Sequence, residues 1–313
     1  MTAVHGGDQR VVVLLATHDG GAYLQPQLDS ILGQRGVDVR VVVSDDASTD
    51  GTWALLERAA AADPRVELLP QGRFGSPRAN FLRLTRDAVP RPDEAVAFAD
   101  QDDLWHDDKL LRQLALLDER GLDAVSSNVT AFWERPDGSL RRRLVDKAQP
   151  QQDLDFLLES GGPGCTFLLR PDAFARVREV LVERVDAPTV PHDWLVYAIA
   201  RALGLRWRID PAPTIDYRQH GSNATGANSG ARQAIARARQ LGGGSYRERV
   251  LAVARLTATI AEPPLRNRIA RLVPLLERST AGSRAALARL APQLRRSERD
   301  RRLLRWTLRL GLW

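Results

Sequence analysis

Apolar runs and helical periodicities alternate along the first hundred residues. Largely apolar runs, typical of strands buried on both faces, occupy residues 11–16 (VVVLLA), 39–43 (VRVVV) and 95–99 (AVAFA). Apolar side chains recur at helical spacing over residues 23–32, 53–62 and 80–88. Strands that alternate with helices in this way predict βαβ units and a mostly parallel central sheet. The predicted fold class is therefore α/β.

Shorter elements follow. Strands are predicted at residues 66–69, 122–127 and 131–133, with one or two more within 206–217; helices are predicted to end at Glu183, after a cap at Asp172, and to span 194–203. Acidic loops come directly after two of the buried strands, at residues 45–46 and 100–103. Ligands of parallel sheets bind outside the carboxyl ends of the strands, so both loops should meet on one side of the sheet.

Composition restricts the classes of protein to which the chain can belong. The chain has 313 residues, 43% of them hydrophobic and 27% charged, which predicts a folded protein of roughly two domains. A single cysteine excludes a disulfide framework and a structural zinc site, and predicts a reducing, cytoplasmic setting. Neither an apolar run of about 18 residues nor a signal-peptide pattern is found, so no export signal or membrane span is predicted.

The formal net charge of +6 conceals an asymmetry. Residues 231–313 carry 19 arginines and 5 acidic residues, which leaves 26 basic and 34 acidic residues of the chain's 45 and 39 for the part before them. The rear is also rich in Ala and Leu in helical patterns. We therefore predict a flexible tail at residues 1–9, a catalytic domain at 10–228 and an Arg-rich helical region at 229–313.

The sequence Asp100-Gln101-Asp102-Asp103 stands at a predicted strand end. Clustered carboxylates repel one another unless a cation offsets their charge, and such oxygen ligands suit Mg²⁺ or Mn²⁺. Asp45 and Asp46 form a second acidic pair. The alternative is that these are solvated aspartates that cap the helices beginning near residues 52 and 107. Two pairs at neighbouring strand ends favour a ligand site.

Two further segments carry candidate chemistry. His192 and Asp193 stand at a predicted helix start, where the carboxylate could act as a general base or, alternatively, as a helix N-cap. The polar segment 217–223 contains His220, which could bind a metal, and Arg218, which could contact phosphate.

Together these motifs resemble glycosyltransferase family 2, in particular its bacterial rhamnosyltransferase-like members. The resemblance covers residues 10–228 and is carried by VVVLLATHDGGAYLQPQLDSIL, VVVSDDASTDGT, ANFLRL, FADQDDLWHDDKL, PHDWL and DYRQHGSNATG. It implies a GT-A fold and inverting transfer of a sugar from a nucleoside diphosphate to an acceptor hydroxyl. The expected donor is dTDP-rhamnose, and the expected acceptor is a glycan or lipid-linked glycan in cell-surface polysaccharide synthesis.

The resemblance also implies a donor site. Ala16 and Thr17 match positions that line the nucleoside pocket, and Asp45 matches the carboxylate that meets the pyrimidine base, with Asp46 beside it. Gln101 lies within the motif that binds the donor.

The same resemblance implies a Mn²⁺ or Mg²⁺ cofactor. Asp100 and Asp102 match the DXD pair, with Asp102 as the direct metal ligand and Asp103 as a neighbour that orients the site. His220 matches an additional metal or diphosphate contact, and Arg218 lies nearby.

For the acceptor side, the resemblance implies that Asp193 is the catalytic base, with His192 as a less favoured substitute, and that residues 161–166 lie near the acceptor. One departure is that His18 and Asp19 replace the Tyr-Asn of many relatives, which leaves the pyrimidine contact of residue 18 open.

Arginines, leucines and tryptophans crowd residues 283–313. An amphipathic helix of this composition suits an anionic membrane surface, and predicts a peripheral position on the inner face of the cytoplasmic membrane. The alternative is a helical subdomain that packs back on the catalytic domain, with its arginines solvated or paired with the acidic residues of the part before it. Nucleic-acid binding is not expected, because no recognition motif accompanies the charge. Two alternatives for the whole chain are nucleotidyl transfer and a non-catalytic assembly module.

Overall fold

The computed structural model describes residues 9–135, 137–185, 189–220 and 244–313. These residues form two compact units. The first consists of the described residues of 1–147, 162–188 and 206–223, and the second of those of 148–161, 189–205 and 224–313. The second unit thus includes two segments from within the predicted catalytic domain. The predicted boundary at residue 228 and the predicted tail, except residue 9, lie outside the described residues.

In the described residues of the first unit, seven strands form the central sheet in the order β10-β6-β9-β4-β1-β2-β3, and four form a second sheet in the order β5-β11-β7-β8. The strands are β1 (Arg10–Thr17), β2 (Asp38–Asp45), β3 (Val66–Leu68), β4 (Glu94–Ala99), β5 (Leu104–Trp105), β6 (Ala124–Ser127), β7 (Val129–Glu134), β8 (Leu140–Val145), β9 (Leu168–Leu169), β10 (Trp207–Asp210) and β11 (Ile215–Arg218). The predicted α/β class is confirmed.

The central sheet brings the predicted acidic loops to one edge. β1 lies between β2 and β4 and runs parallel to both, with Thr17 opposite Asp45 and Leu15 opposite Ala99. The carboxyl ends of the three strands therefore lie side by side. β9 is antiparallel to both β4 and β6, so the sheet is mostly, not wholly, parallel.

Helices cover this sheet and explain why its central strand, β1, is almost wholly apolar. The helices of the first unit are α1 (Leu24–Leu32), α2 (Thr52–Ala62), α3 (Pro77–Asp87), α4 (Lys109–Arg120) and α5 (Pro171–Arg184). α1 buries Leu24, Leu28 and Ile31, which recur at the spacing of one helix face. Residues 11–15 of β1 are wholly inaccessible to solvent, as expected of a strand covered on both faces.

The second unit is helical. It contains a short 3₁₀ helix (Asp155–Leu157), α6 (His192–Ala202), α7 (Gly244–Ile260), α8 (Leu265–Glu277), α9 (Ala281–Leu294) and α10 (Glu298–Arg309). The helical prediction for the basic region is thus confirmed where the structure describes it. No helix among the described residues is both long enough and apolar enough to cross a membrane.

The apolar face of α10 is used for packing within this unit. Leu304 and Leu308 are buried and share a cluster with Leu276, Leu287 and Leu294. These contacts lie within the second unit, and they leave only the outer face of α10 for any surface contact.

Candidate active site

The side chain of Asp45 is fixed at the end of β2. It is completely buried: its Oδ2 accepts hydrogen bonds from Thr17 Oγ1 at 2.9 Å and Ser48 Oγ at 2.5 Å. Its Oδ1 accepts from the Ser48 backbone N–H and from Gln71 Nε2, both at 2.9 Å. Asp45 therefore holds the loop after β2 in place. A nucleobase could contact its carboxylate directly only by displacing one of these hydrogen-bond donors.

Asp46 links the next loop to the same edge. Its Oδ1 accepts hydrogen bonds from the backbone N–H groups of Phe74 and Gly75. Its carbonyl oxygen lies 2.7 Å from Nδ1 of His18. The loops after β1, β2 and β3 are thereby connected through one residue.

Gln101 clamps the loop after β1. Its Oε1 accepts from the His18 backbone N–H at 2.7 Å, and its Nε2 donates to the His18 carbonyl at 2.8 Å. A Cβ at Gly20 would lie 2.3 Å from the Gln101 side chain, so a larger residue there would displace the Gln101 amide from these two hydrogen bonds. The amide thus has a loop-holding role in addition to the donor contact predicted for it.

Backbone strain is found in the same loops. Asp19 and Ala47 have positive φ angles of 46° and 51°, the two such values among the described non-glycine residues. An alanine in this region costs of order 1 kcal/mol or more, and such strain clusters at functional sites. Hydrogen bonds hold Asp19 in place: its N–H donates to Ser48 Oγ, and its Oδ1 accepts from the Thr49 N–H.

Asp102 and His220 meet, although 118 positions separate them in the chain. Asp102 Oδ2 lies 2.7 Å from His220 Nε2, and the His220 ring stacks on Tyr23 with centroids 4.6 Å apart. Arg218 completes the group, because its Nε donates to the Asp102 carbonyl at 3.0 Å and its N–H to Asp103 Oδ1 at 3.2 Å. The three motifs that supply Tyr23, Asp102 and His220 therefore build one site.

Asp103 lies beneath this site and is wholly buried. Burial, and then the charges of Asp102 and Asp100, raise the pKa of Asp103 well above the ordinary aspartate value. Its Oδ2 has no hydrogen-bond partner among the described residues. Asp100, Asp103 and Cys165 each offer a ligand atom within 4.8 Å of the others. A buried, unpartnered carboxylate oxygen among acidic neighbours fits a divalent cation, which would offset this charge.

Asp193 and His192 belong to the second unit and open α6. Pro191 precedes the helix, so Asp193 lies in the first turn and is not the N-cap; its Oδ1 accepts from the Trp194 N–H at 2.8 Å. Burial lowers the pKa of His192 to about 3. The His192 ring is therefore neutral at physiological pH.

Residues 161–166, predicted near the acceptor, contain a tight turn. Gly162 has a φ of +140°, and a 3₁₀ turn follows it at Gly164–Thr166. The Thr166 carbonyl accepts from Gln113 Nε2 at 2.7 Å. This part of the segment is buried and anchored to α4, and the acceptor contact stays a prediction.

Some residues of the site were not predicted. Tyr23 reads as an apolar helix residue, yet it stacks on His220. Asn80 is buried on α3, and its Nδ2 donates to the carbonyls of Thr17 and Ser44 at 3.1 and 3.0 Å, which ties the ends of β1 and β2 together. A buried asparagine within the otherwise apolar ANFLRL motif is the signal that could have identified it.

The glycosyl transferase family 2 model matches residues 12–178, more than half of the chain. The chain belongs to glycosyltransferase family 2. It is 36% identical over 218 residues to the dTDP-rhamnosyl transferase RfbG of Shigella flexneri, a match that covers 68% of this chain and 74% of RfbG. It is 28% identical over 216 residues to the succinoglycan biosynthesis protein ExoO of Rhizobium meliloti, which covers 64% of this chain and 58% of ExoO.

The fold agrees with this membership. A crystal structure of residues 1–349 of S. aureus TarS in complex with UDP-GlcNAc aligns with a TM-score of 0.60 and 16% identity, over 96% of this chain and 87% of that one. The fold of the family 2 enzyme is therefore the predicted GT-A type. Membership of the family also decides for glycosyl transfer over the nucleotidyl transfer that the sequence pattern had left open.

Proposed function

We propose that this glycosyltransferase moves rhamnose from dTDP-rhamnose to a hydroxyl of a glycan or lipid-linked glycan, with inversion at the anomeric carbon. The observation that carries the choice of donor is the 36% identity to a dTDP-rhamnosyl transferase over 68% of the chain. The product would serve cell-surface polysaccharide synthesis. Family 2 membership gives glycosyl transfer itself; the sugar, the nucleotide and the acceptor are part of this proposal.

The donor nucleotide is assigned to the carboxyl edge of β1, β2 and β4. Ala16 and Thr17 end β1 there; Thr17 donates to Asp45, and the ring of His18, the next residue, lies within hydrogen-bond distance of the Asp46 carbonyl. Because Asp45 is saturated by protein donors, its part in the proposal is to hold the nucleoside pocket in shape. Gln101 does the same for the backbone of His18.

A divalent cation, Mn²⁺ or Mg²⁺, would be held by Asp102, with Asp100 and His220 as further ligands and Asp103 as the buried support. When bound, such an ion supplies positive charge that stabilises the departing diphosphate. Arg218 lies beside these residues, with its guanidinium packed over the Tyr23 and Phe132 rings, and would contribute a second cation toward the diphosphate.

Asp193 is assigned as the general base. The acceptor oxygen forms a bond to the anomeric carbon while its proton passes to the Asp193 carboxylate. The bond from that carbon to the diphosphate oxygen breaks, and the nucleoside diphosphate leaves with the electron pair. A displacement in line with the leaving group inverts the anomeric centre.

We also propose that the outer face of α10 contacts an anionic membrane, on the inner face of the cytoplasmic membrane where a lipid-linked acceptor would lie. Trp306 on this face is 64% exposed, and Leu310 and Leu312, just past the end of α10, are 58% and 47% exposed. The exposed Arg302 and Arg309 stand among them. Indole rings with arginines are typical of groups that sit at a membrane interface.

Thermal-shift measurements against nucleotide sugars test the donor assignment. In MnCl₂, dTDP-rhamnose should raise the melting temperature of the wild type more than UDP-GlcNAc or GDP-mannose does. The Asp102→Ala variant should lose the Mn²⁺-dependent part of this rise, whereas Asp107→Ala, a nearby exposed aspartate, should keep it. A larger shift with another nucleotide sugar would overturn the choice of donor, and an unchanged Mn²⁺-dependent shift in Asp102→Ala would overturn the cation assignment.

A further inference from the structure

Asp155, in the 3₁₀ helix of the second unit, is a fully buried carboxylate with charged partners on two sides. Its Oδ1 accepts from Tyr197 OH at 3.0 Å and from Arg201 Nη1 at 3.3 Å. Its Oδ2 accepts from Arg296 Nη1 at 3.3 Å. One buried side chain thus joins α6 to the C-terminal Arg296, which is 141 residues away in the sequence.

The two α6 partners lie on the helix face that carries the proposed base. Asp193, Tyr197 and Arg201 are spaced by four residues each, and side chains at this spacing stack along one face of a helix. Tyr197 and Arg201 are also bonded to each other, through a 2.7 Å hydrogen bond from Arg201 Nη1 to Tyr197 OH. A shift of Asp155 would therefore displace or rotate this face of α6.

Arg296 fixes the segment that contains Asp155. It is only 3% exposed; its backbone N–H donates to Glu159 Oε1 at 2.7 Å and its Nη2 to the Ser160 carbonyl at 2.6 Å. A second set of contacts runs in parallel, since Tyr246 of α7 donates to the Leu158 carbonyl at 2.6 Å. The segment 155–160 is therefore held from the C-terminal region at several points.

The same segment also holds the first turn of α6 directly. Trp194, the residue after Asp193, donates from its indole Nε1 to the Phe156 carbonyl at 2.7 Å, and its ring stacks on Tyr246 with centroids 5.8 Å apart. Segment 155–160 thus contacts α6 both in its first turn, next to Asp193, and near its C-terminal end, at Arg201. The position of Asp193 depends on these contacts.

We infer that Arg296 is a positioning residue for the proposed base, acting through Asp155 on the Asp193 face of α6. This inference rests on the proposed role of Asp193. It gives part of the C-terminal arginine excess a positioning role, because a buried guanidinium that holds α6 in place cannot serve as a solvated or membrane-facing charge. Displacement of a catalytic group by about 1 Å can cost roughly a hundredfold in rate.

The test compares Arg296→Gln with Arg289→Met, which alters an exposed arginine of α9. Arg296→Gln should lower kcat for sugar transfer by roughly 10- to 100-fold and leave the KM for the donor within about twofold. Arg289→Met should change neither. Hydrogen exchange of the amides at residues 193–197, measured without substrate, should be faster in Arg296→Gln than in the wild type.

Two more variants keep the inference testable if Arg296→Gln folds poorly, since it leaves a buried carboxylate with one partner fewer. Tyr197→Phe removes only the hydroxyl that bonds Asp155, and should lower kcat by a smaller factor with the donor KM unchanged. Arg296→Lys keeps a positive charge beside Asp155 and Arg201, and should lower kcat less than Arg296→Gln does.

An unchanged kcat in folded Arg296→Gln, or amide exchange at 193–197 equal to that of the wild type, would overturn the inference. A rise in donor KM equal to the fall in kcat/KM would also overturn it, because the residue would then act on donor binding. The exchange measurement needs no substrate, so it separates failure of this inference from failure of the proposed reaction, which would appear as absence of transfer in the wild type.

Discussion

Burial changes the protonation of one side chain in the first unit, that of Lys109. Its side chain is wholly buried in the first unit, with Nζ 3.7 Å from the centroid of the Trp105 ring and a 3.0 Å hydrogen bond to Gln113 Oε1. Burial lowers the pKa of Lys109 to about 7 from its ordinary 10.5. The proton is therefore held less tightly in the folded than in the unfolded chain.

This difference predicts a pH-dependent effect of Lys109→Met. Between pH 7 and about 10 the unfolded chain binds the proton that the folded chain has lost, so the lysine's contribution to stability becomes less unfavourable as pH rises. Lys109→Met should be more stable than the wild type at pH 7, and its advantage should shrink by up to about 1.4 kcal/mol per pH unit above pH 7.

Urea unfolding of both proteins at pH 7, 8 and 9 measures this advantage. Lys147→Met, the same change at the partly exposed second lysine of the chain, serves as the control for substitution alone. An advantage of Lys109→Met that stays constant across this range would show that the buried lysine does not titrate there.

At the same scale, the sequence predicted where the first-unit site residues lie in the sheet better than it predicted their contacts. The acidic residues after β2 and β4 fall at the predicted strand ends, because apolar runs mark strands whatever their neighbours. The pairing of Asp102 with His220 came only from resemblance, since spacing alone cannot bring together residues 118 positions apart. The full set of protein donors around Asp45 could not be predicted, because it depends on loops from three strands.

Among the elements, the long buried strands were predicted closely and the exposed ones were missed. β8 has the sequence LRRRLV and is mostly exposed at the edge of the second sheet, so it lacks the apolar signal that marked β1. α3 begins at Pro77, earlier than the predicted residue 80, because Ser76 caps it by accepting from the Ala79 N–H at 3.3 Å. The antiparallel direction of β9 could not be predicted, because it is set by pairing with β4 and β6 and not by the two leucines that form the strand.

A further prediction concerns membrane binding by α10. Because the buried leucines of α10 pack within the second unit, membrane contact should depend on the exposed outer face of this helix. The pair Arg302→Gln and Arg309→Gln should weaken binding to vesicles rich in phosphatidylglycerol by roughly 10- to 30-fold, at about 1 kcal/mol for each arginine. Trp306→Ser should weaken it as well, and 0.5 M salt should reduce binding of the wild type.

Co-sedimentation with vesicles measures this binding. Val89→Ser, which alters a 77% exposed apolar residue of the first unit, controls for loss of surface hydrophobicity in general. Equal binding of the wild type to anionic and to neutral phosphatidylcholine vesicles would defeat the electrostatic account of α10.

For the whole molecule, the net charge of +6 is the difference between an acidic part, residues 1–230, and a basic part, residues 231–313. The acidic excess of the front includes the carboxylates assigned to the cation and the nucleotide loops. The arginines of residues 231–313 are of two kinds. Some, such as Arg296, are buried and hold segment 155–160, whereas others are exposed on α10. Sequence alone could count these arginines but not separate them, because burial of a charge depends on partners that lie far away in the chain.

The most direct test of the whole account is the rate of rhamnose transfer by Asp193→Asn, measured with dTDP-rhamnose and Mn²⁺. Asp172→Asn is the matched control, because it makes the same change in the first turn of α5 at an exposed position. The account predicts that Asp193→Asn lowers kcat by roughly 100- to 10,000-fold, the usual worth of a general base, with donor affinity unchanged and Asp172→Asn as active as the wild type. Turnover by Asp193→Asn within a few-fold of the wild-type rate would contradict it.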